Sequence, residues 1–299
     1  MTHPKMTLEK LRNWILEGRG VGLHDDYQPW IQITKRNTSS GSVQAPVHMP
    51  GLKRLCHYLS LAERNLAQLL WWIGLTDIRE QFPLWPWPHP QPLDECKESL
   101  ALPPHPGMQA IAKDAGIKLC NYPGLNIPTV LTLDLLGTLP VGWPVPLIGF
   151  SCKPESIYLA ADPSDRIPER LELDRRYCKV AGIPHRMVHP EQIPALLSAQ
   201  LDWLKPVDLA IDLARFTASG EYCVFVKRLS ERVHCMPAIT AAQKCAKGLP
   251  WDDATISYAL RTAIWRLDVD GNPARPILMT EPLPRGGTRV RDHFRQKLL

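Results

Sequence analysis

Three polar side chains stand where packing alone would not ask for them: Glu63, Asp134 and Lys153. Asp134 lies inside Thr129-Val130-Leu131-Thr132-Leu133-Asp134-Leu135-Leu136, a β-type run in which alternate side chains face opposite ways. Leu131, Leu133 and Leu135 share one face there, and Val130, Thr132 and Asp134 share the other. A carboxylate in so apolar a strand is costly unless it is paired or holds a cation. Two readings stand: a turn cap at the strand end, or a metal ligand. The same alternation in Phe150-Ser151-Cys152-Lys153 puts Ser151 and Lys153 on one face. If the two strands are neighbours, Lys153 approaches Asp134. That pair is then a plain salt bridge, or an acid holding a metal beside an ammonium that positions water and steadies phosphate charge. Glu63 closes Ser60-Leu61-Ala62-Glu63, an S-x-x-E capping box that would only return a hydrogen bond to a helix start. Together the three suit phosphodiester hydrolysis. Magnesium needs only two carboxylates, because it keeps several waters and takes its other oxygens from phosphate or backbone carbonyls.

The elements that would position these groups follow from periodicity and breakers. Thr7–Glu17 predicts a helix stopped by Gly18-Arg19-Gly20, and Ser60–Ile73 a stronger one with Leu66, Leu69, Leu70 and Ile73 on one side. The polar, Ser/Gly-rich stretch from Lys35 to Val47 reads as a loop. Pro128–Leu136, Val145–Lys153 and Ile183–Val188 read as strands. Pro163–Gly182 reads as a helix with Pro168 in its opening turn. The order strand, strand, helix, strand predicts a mixed α/β core. Between residues 85 and 106 seven prolines exclude a helix or central strand, so an exposed, stiff loop is expected, with Trp85 and Trp87 anchoring it. From about His189 a second domain is expected. Helical segments at Pro194–Leu204, Val207–Phe216 and Trp251–Leu267 are interrupted by a strand-like Glu221–Leu229. The turn Asp270-Gly271-Asn272-Pro273 and the run Ile277–Met279 then give a hairpin-like, winged-helix end. The division is 1–189, 190–284 and a basic tail 285–299, where Arg285, Arg289, Arg291, Arg295 and Lys297 face only Asp292. Such an end either docks on phosphates or an acidic partner, or stays solvated.

Composition narrows the classes. The chain of 299 residues is 44% hydrophobic and 22% charged, values of a globular protein. No apolar run nears the roughly 20 residues of a bilayer span, and no signal-peptide core follows Met1, so a cytoplasmic location without membrane contact is expected. Eight cysteines without any C-x-x-C pair argue against a zinc ribbon or disulfide framework; most are expected to be buried. The net charge of +5 is compatible with nucleic acid without demanding it.

Ordered blocks across residues 10 to 190 resemble the TnsA endonuclease family. They are Glu17-Gly18-Arg19-Gly20-Val21-Gly22, Asp26-Tyr27-Gln28-Pro29-Trp30, and the helix of Glu63 running into Asp77-Ile78-Arg79-Glu80-Gln81-Phe82-Pro83-Leu84. Ala115-Gly116-Ile117-Lys118, Thr132-Leu133-Asp134, Cys152-Lys153-Pro154 and Glu169–Tyr177 follow. The resemblance implies a restriction-endonuclease-like N-terminal fold. It puts the catalytic acids on Glu63 and Asp134, the lysine on Lys153, and a further metal ligand on the backbone carbonyl of Cys152. Asp174 takes the place of a family glutamate and is a weaker ligand. Ser151 departs from the Gln or acid usual two positions before the lysine and is a poor ligand. The implied cofactor is Mg²⁺, with Mn²⁺ able to substitute. The implied activity is nicking of the 5′ strands at transposon ends, with DNA, a TnsB-type transposase and a TnsC-type AAA+ ATPase as partners. A stand-alone restriction or repair nuclease, and a catalytically silent DNA-binding scaffold, are the alternatives.

Overall fold

The computed structural model describes residues 6–34, 45–96, 103–159 and 166–299. In chain order the elements are α1 (Leu8–Leu16), β1 (Ala45–Val47), β2 (Cys56–Tyr58), α2 (Leu61–Trp72), β3 (Asp77–Leu84), α3 (Met108–Asp114), β4 (Leu131–Thr138), β5 (Leu147–Cys152), α4 (Glu155–Leu159), α5 (Ile167–Val180) and β6 (His185–Val188). Only helices follow: α6 (Ala195–Leu204), α7 (Leu213–Thr217), α8 (Gly220–Ser230), α9 (Ala238–Cys245), α10 (Asp253–Arg266) and α11 (Gly287–Leu298). The chain forms two compact units. One comprises Met1–Val47, Arg54–Ala67 and Gly74–Gln192, the other His48–Lys53, Gln68–Ile73 and Ile193–Leu299.

The first unit is a mixed α/β structure. Its four-stranded sheet has the order β3-β4-β5-β6, antiparallel except for the parallel β5–β6 pair. A parallel neighbour needs a crossover, and α4 and α5 lie in that connection. β1 and β2 form a separate antiparallel pair. Leu133, Leu136, Leu147, Phe82 and Leu84 of the sheet pack with Met108 and Ile111 of α3 and Leu173, Tyr177 and Cys178 of α5. Each fully buried large side chain there contributes about 1.5–3 kcal/mol. Leu133 and Leu136 enter the same cluster, although strict alternation would put them on opposite faces. The interruption falls at Asp134–Leu135, opposite a break in β3.

β3 carries charged residues and no simple alternation, and the sequence reading missed it. All eight of its residues are buried. Pairing makes this tolerable. The Arg54 guanidinium grips Glu80 at 2.7 and 3.0 Å, and the backbone N–H of His57 donates to the same carboxylate at 2.9 Å. The Asp77 carboxylate accepts the backbone N–H of His24 at 3.0 Å.

Local signals account for the helices. The Thr7 hydroxyl caps α1 through Lys10 N–H. α5 opens with Pro168 in its first turn and stops before Gly182 at φ 68°. The expected loop at 35–47 lies outside the described residues over 35–44 and ends in β1; residues 163–165 of the expected helix and 97–102 of the Pro-rich loop also lie outside them. The described part of the Pro-rich stretch is exposed at Pro88, Pro90, Pro103, Pro104 and Pro106, as expected, but is not free of local structure. A short 3-10 turn at Pro92–Glu95 and a bridge between His89 and His105 hold it, Gln91 and His105 are buried, and Trp85 meets Trp30 edge-on at 5.1 Å. All eight cysteines are free, but only Cys56, Cys152, Cys178 and Cys245 are buried.

The second unit is mostly helical, and four readings need correction there. Glu221–Leu229, read as strand-like, is helix α8. Tyr222, Phe225 and Leu229 recur at helical spacing on its buried side, and Ser219 caps it through Tyr222 N–H. Val207–Phe216 is helical only from Leu213. The hairpin-like end is reduced, among the described residues, to one antiparallel bridge between Gly271 and Arg285. The segment expected as a basic tail is α11: Phe294 and Leu298 are buried, and the Arg295 guanidinium donates to the Ile73 carbonyl at 2.7 and 2.9 Å. No helix among the described residues is long and apolar enough to cross a membrane.

Candidate functional site

Asp134 sits near the middle of β4, and Lys153 follows the last residue of β5. Antiparallel pairing of Leu135 with Phe150 brings them together. Lys153 Nζ donates to Asp134 Oδ2 at 2.8 Å and to the Cys152 carbonyl at 3.1 Å, and Cys152 N–H donates to Asp134 Oδ2 at 2.7 Å. Asp134 Oδ1 accepts no hydrogen bond among the described residues. Burial opposes the Lys153 charge, but the adjoining Asp134 and then Glu63 outweigh it, so its pKa is raised and it is a firm cation at neutral pH. The Cys152 thiol, pushed up to about 12 by burial and by Asp134 and Glu63, stays protonated. It is inert, leaving only the residue's backbone for the site.

Glu63 performs the cap and also feels the charges of the pair. Its N–H donates to Ser60 Oγ at 3.1 Å, the Ser60 hydroxyl donates to its Oε1 at 3.0 Å, and Leu59 N–H donates to its Oε2 at 3.0 Å. The two readings of Glu63 are therefore compatible. Burial first, and then the Asp134 charge, push its pKa up to about 7 against the opposing pull of Lys153. The carboxylate thus lies within the field of both groups.

Ser151 and Asp174 form a second cluster behind this set. The Ser151 hydroxyl donates to Asp174 Oδ2 at 3.2 Å and lies 2.9 Å from His185 Nε2, while Arg170 Nε donates to Asp174 Oδ1 at 3.1 Å. Arg170 also reaches the Thr132 carbonyl. Burial pushes Asp174 up to about 6, with Arg170 lowering it and Asp134 raising it further. His185 is held near 4 by burial, against Asp134, and is neutral at pH 7. With Ser151 giving its proton to Asp174, the His185 tautomer carrying hydrogen on Nε2 satisfies the hydroxyl.

Gln81, Arg170 and His185 were not singled out from the sequence. Gln81 sits within a phrase prominent in the resemblance, yet only the fold shows what it touches. Its amide Nε2 donates to Glu63 Oε2 at 3.0 Å, and its Oε1 accepts the Thr132 hydroxyl at 2.9 Å. Arg170 and His185 carry no spacing signal toward residue 151.

The donor set can be tested for a divalent cation. Asp134 pairs with Lys153, while Glu63, within the field of both, is pushed up to about 7, so the site resists a second negative charge. Asp134 keeps a free oxygen, and the Cys152 carbonyl is adjacent. Among the described residues no three His, Cys, Asp or Glu side chains converge as the cage that a structural zinc would use. A magnesium site of two carboxylates and a carbonyl makes no such demand, and the residues present fit it.

Comparison with known proteins agrees with the reading of these blocks. Over 194 residues the chain is 31% identical to the transposon Tn7 transposition protein TnsA of Escherichia coli, a stretch covering 64% of this chain and 61% of that protein. The chain is thus homologous to TnsA, and the match spans less than two thirds of that relative's length. No family model matches.

Proposed function

From that homology we propose that the chain is the endonuclease subunit of a heteromeric transposase, hydrolysing the 5′ strands at transposon ends in a metal-dependent reaction. The observation that carries this reading is the shared geometry of Asp134, Lys153 and Glu63. Asp134 of β4 bonds the Lys153 ammonium beside the Cys152 carbonyl, and Glu63 of α2 lies within the electrostatic reach of both.

In this reading Glu63, Asp134 and the Cys152 carbonyl hold Mg²⁺, for which Mn²⁺ substitutes. Bound there, the cation would neutralise phosphate charge and lower the pKa of a water. Lys153, kept cationic by its two acids, orients the attacking water and stabilises charge gathering on the phosphate. Its raised pKa excludes it as a neutral base at pH 7. The Glu63 carboxylate, anchored by Leu59 N–H and the Ser60 hydroxyl, enters the site with little rotational freedom to lose. Ser151 offers a hydroxyl in place of an acid, and Asp174 is already engaged by Arg170 and Ser151. These two contribute as weak ligands, through water.

The finer architecture belongs to the same proposal. The mixed sheet flanked by helices is assigned a restriction-endonuclease-like fold, with 1–189 as the catalytic domain. For 190–284 the winged-helix-like assignment rests on its helices alone, since the expected hairpin is reduced to a single bridge. Residues 285–299 form a basic surface helix. The partners are DNA at transposon ends, a TnsB-type transposase for the 3′ strands and a TnsC-type AAA+ ATPase.

Ser151 favours one second reading, a catalytically silent DNA-binding scaffold. Calorimetric titration with Mg²⁺ separates the two. Binding that disappears in Asp134→Ala supports the nuclease; a wild-type chain that binds no cation supports the scaffold.

A further inference from the structure

Gln81 is the one residue of β3 with a left-handed backbone, φ 49°, and it is 1% exposed. Non-glycine residues avoid this region at a cost of roughly 1–3 kcal/mol and persist there only where the surroundings over-determine them. The surroundings here are explicit. The β3–β4 register runs continuously from Asp77↔Thr138 to Leu84↔Leu131 except opposite Asp134, where Gln81 would pair. Released from the ladder, the Gln81 carbonyl accepts the Trp30 N–H at 3.3 Å, and the preceding Glu80 carbonyl accepts the Tyr27 hydroxyl at 2.9 Å. The side chain is pinned at both ends, to Glu63 Oε2 and to the Thr132 hydroxyl. An ionised carboxylate only accepts, so the amide NH₂ must face Glu63 and its oxygen must face Thr132.

We propose that Gln81 is a positioning residue of the acid pair: its break in the strand opposite Asp134 and its amide, strung between Thr132 and Glu63, hold the Glu63 carboxylate toward Asp134 and thereby set the affinity for the divalent cation. The proposal rests on the reading of Glu63 and Asp134 as cation-holding groups. Thr132 is part of the device, since its hydroxyl dictates which way the amide points. The capping bonds from Ser60 and Leu59 alone leave the carboxylate tied only to its own helix start. The Gln81 amide is the donor that ties it to the sheet.

The test is Mn²⁺ titration calorimetry on the full chain, with metal-free melting temperatures beside it. Gln81→Gly deletes the amide while suiting the left-handed backbone, and Thr132→Val removes the amide's guide without touching β3. Partners of this kind are worth about 10–100-fold in metal affinity, so Gln81→Gly is expected to weaken Mn²⁺ binding at least about tenfold and Thr132→Val severalfold. Both should melt close to wild type without metal, which a general packing role would not allow. Glu63→Ala is the control. If it binds Mn²⁺ as tightly as wild type, the cation-site reading itself fails. If Glu63→Ala loses the cation while Gln81→Gly and Thr132→Val keep wild-type affinity, the assignment of Gln81 alone is overturned. Should Gln81→Gly not fold, wild-type affinity in Thr132→Val overturns it equally.

Discussion

Replacing Glu63 by glutamine removes a charge that the fold resists and leaves the helix cap in place. Glutamine serves at this position of a capping box, so the bonds with Ser60 and Leu59 can be kept. In the folded chain the Glu63 carboxyl titrates near 7, raised from 4.5 chiefly by burial and then by Asp134. Between these values the native state retains a proton that the unfolded chain releases. Stability therefore falls as pH rises through the window, and the whole deficit is present above 7. Its ceiling is about 3 kcal/mol at roughly 1.4 kcal/mol per pKa unit. Glutamine does not titrate. Glu63→Gln should consequently equal wild type near pH 4.5 and exceed it at pH 8, by up to roughly 5–10 °C in melting temperature. Melts in EDTA across pH 5–8 provide the assay. Saturating Mg²⁺ at pH 8 should stabilise wild type and leave the variant unmoved. A difference between the two proteins that does not change with pH would refute the buried-charge argument, and a variant less stable at pH 8 would mean that the cap outweighs desolvation.

Asp134→Ala and Lys153→Ala should each abolish 5′-strand nicking in a reconstituted reaction while the partner still joins 3′ ends, so that cointegrates replace simple insertions; full excision by either variant would contradict the assigned roles. Glu80→Ala strands the Arg54 guanidinium inside the protein and should cost about 3–5 kcal/mol in urea denaturation. At Gly287 an added Cβ would stand 1.9 Å from the Gly271 carbonyl oxygen, so Gly287→Ala should displace α11 and expose residues 287–298 to limited proteolysis. Gly149→Ala meets Cys178 Sγ and Leu133 Cδ2 at 2.9 Å each and should lower stability by about 1–3 kcal/mol without altering Mn²⁺ affinity.

Much of the mixed α/β unit was legible because its signals are local. The Ser60–Glu63 box, the β4 and β5 runs, and Pro168 with Gly182 around α5 each depend on residues only a few positions apart. The Asp134–Lys153 contact also came within reach, because two neighbouring strands in one sheet leave few ways to pair. β3 was hidden for the opposite reason. Its Asp77, Arg79, Glu80 and Gln81 look like a solvated stretch, and they are buried only because partners such as Arg54, His24 and Thr132 arrive from elsewhere in the chain. Glu221–Leu229 misled differently: it reads as strand-like, but Tyr222, Phe225 and Leu229 recur at helical spacing and are buried on one side of a helix.

By itself, then, the chain's order of residues determined which chemistry is available: two acids, one lysine, and the short-range patterns that make strands and helices around them. Only the tertiary structure decided that the capping Glu63 lies in the field of Asp134 and Lys153, that Ser151 turns to Asp174 and His185, and that Gln81 leaves its strand opposite Asp134. The physical reason is that burial and charge pairing depend on which distant segments meet. A carboxylate's cost, orientation and proton affinity are set by neighbours that no local spacing can name.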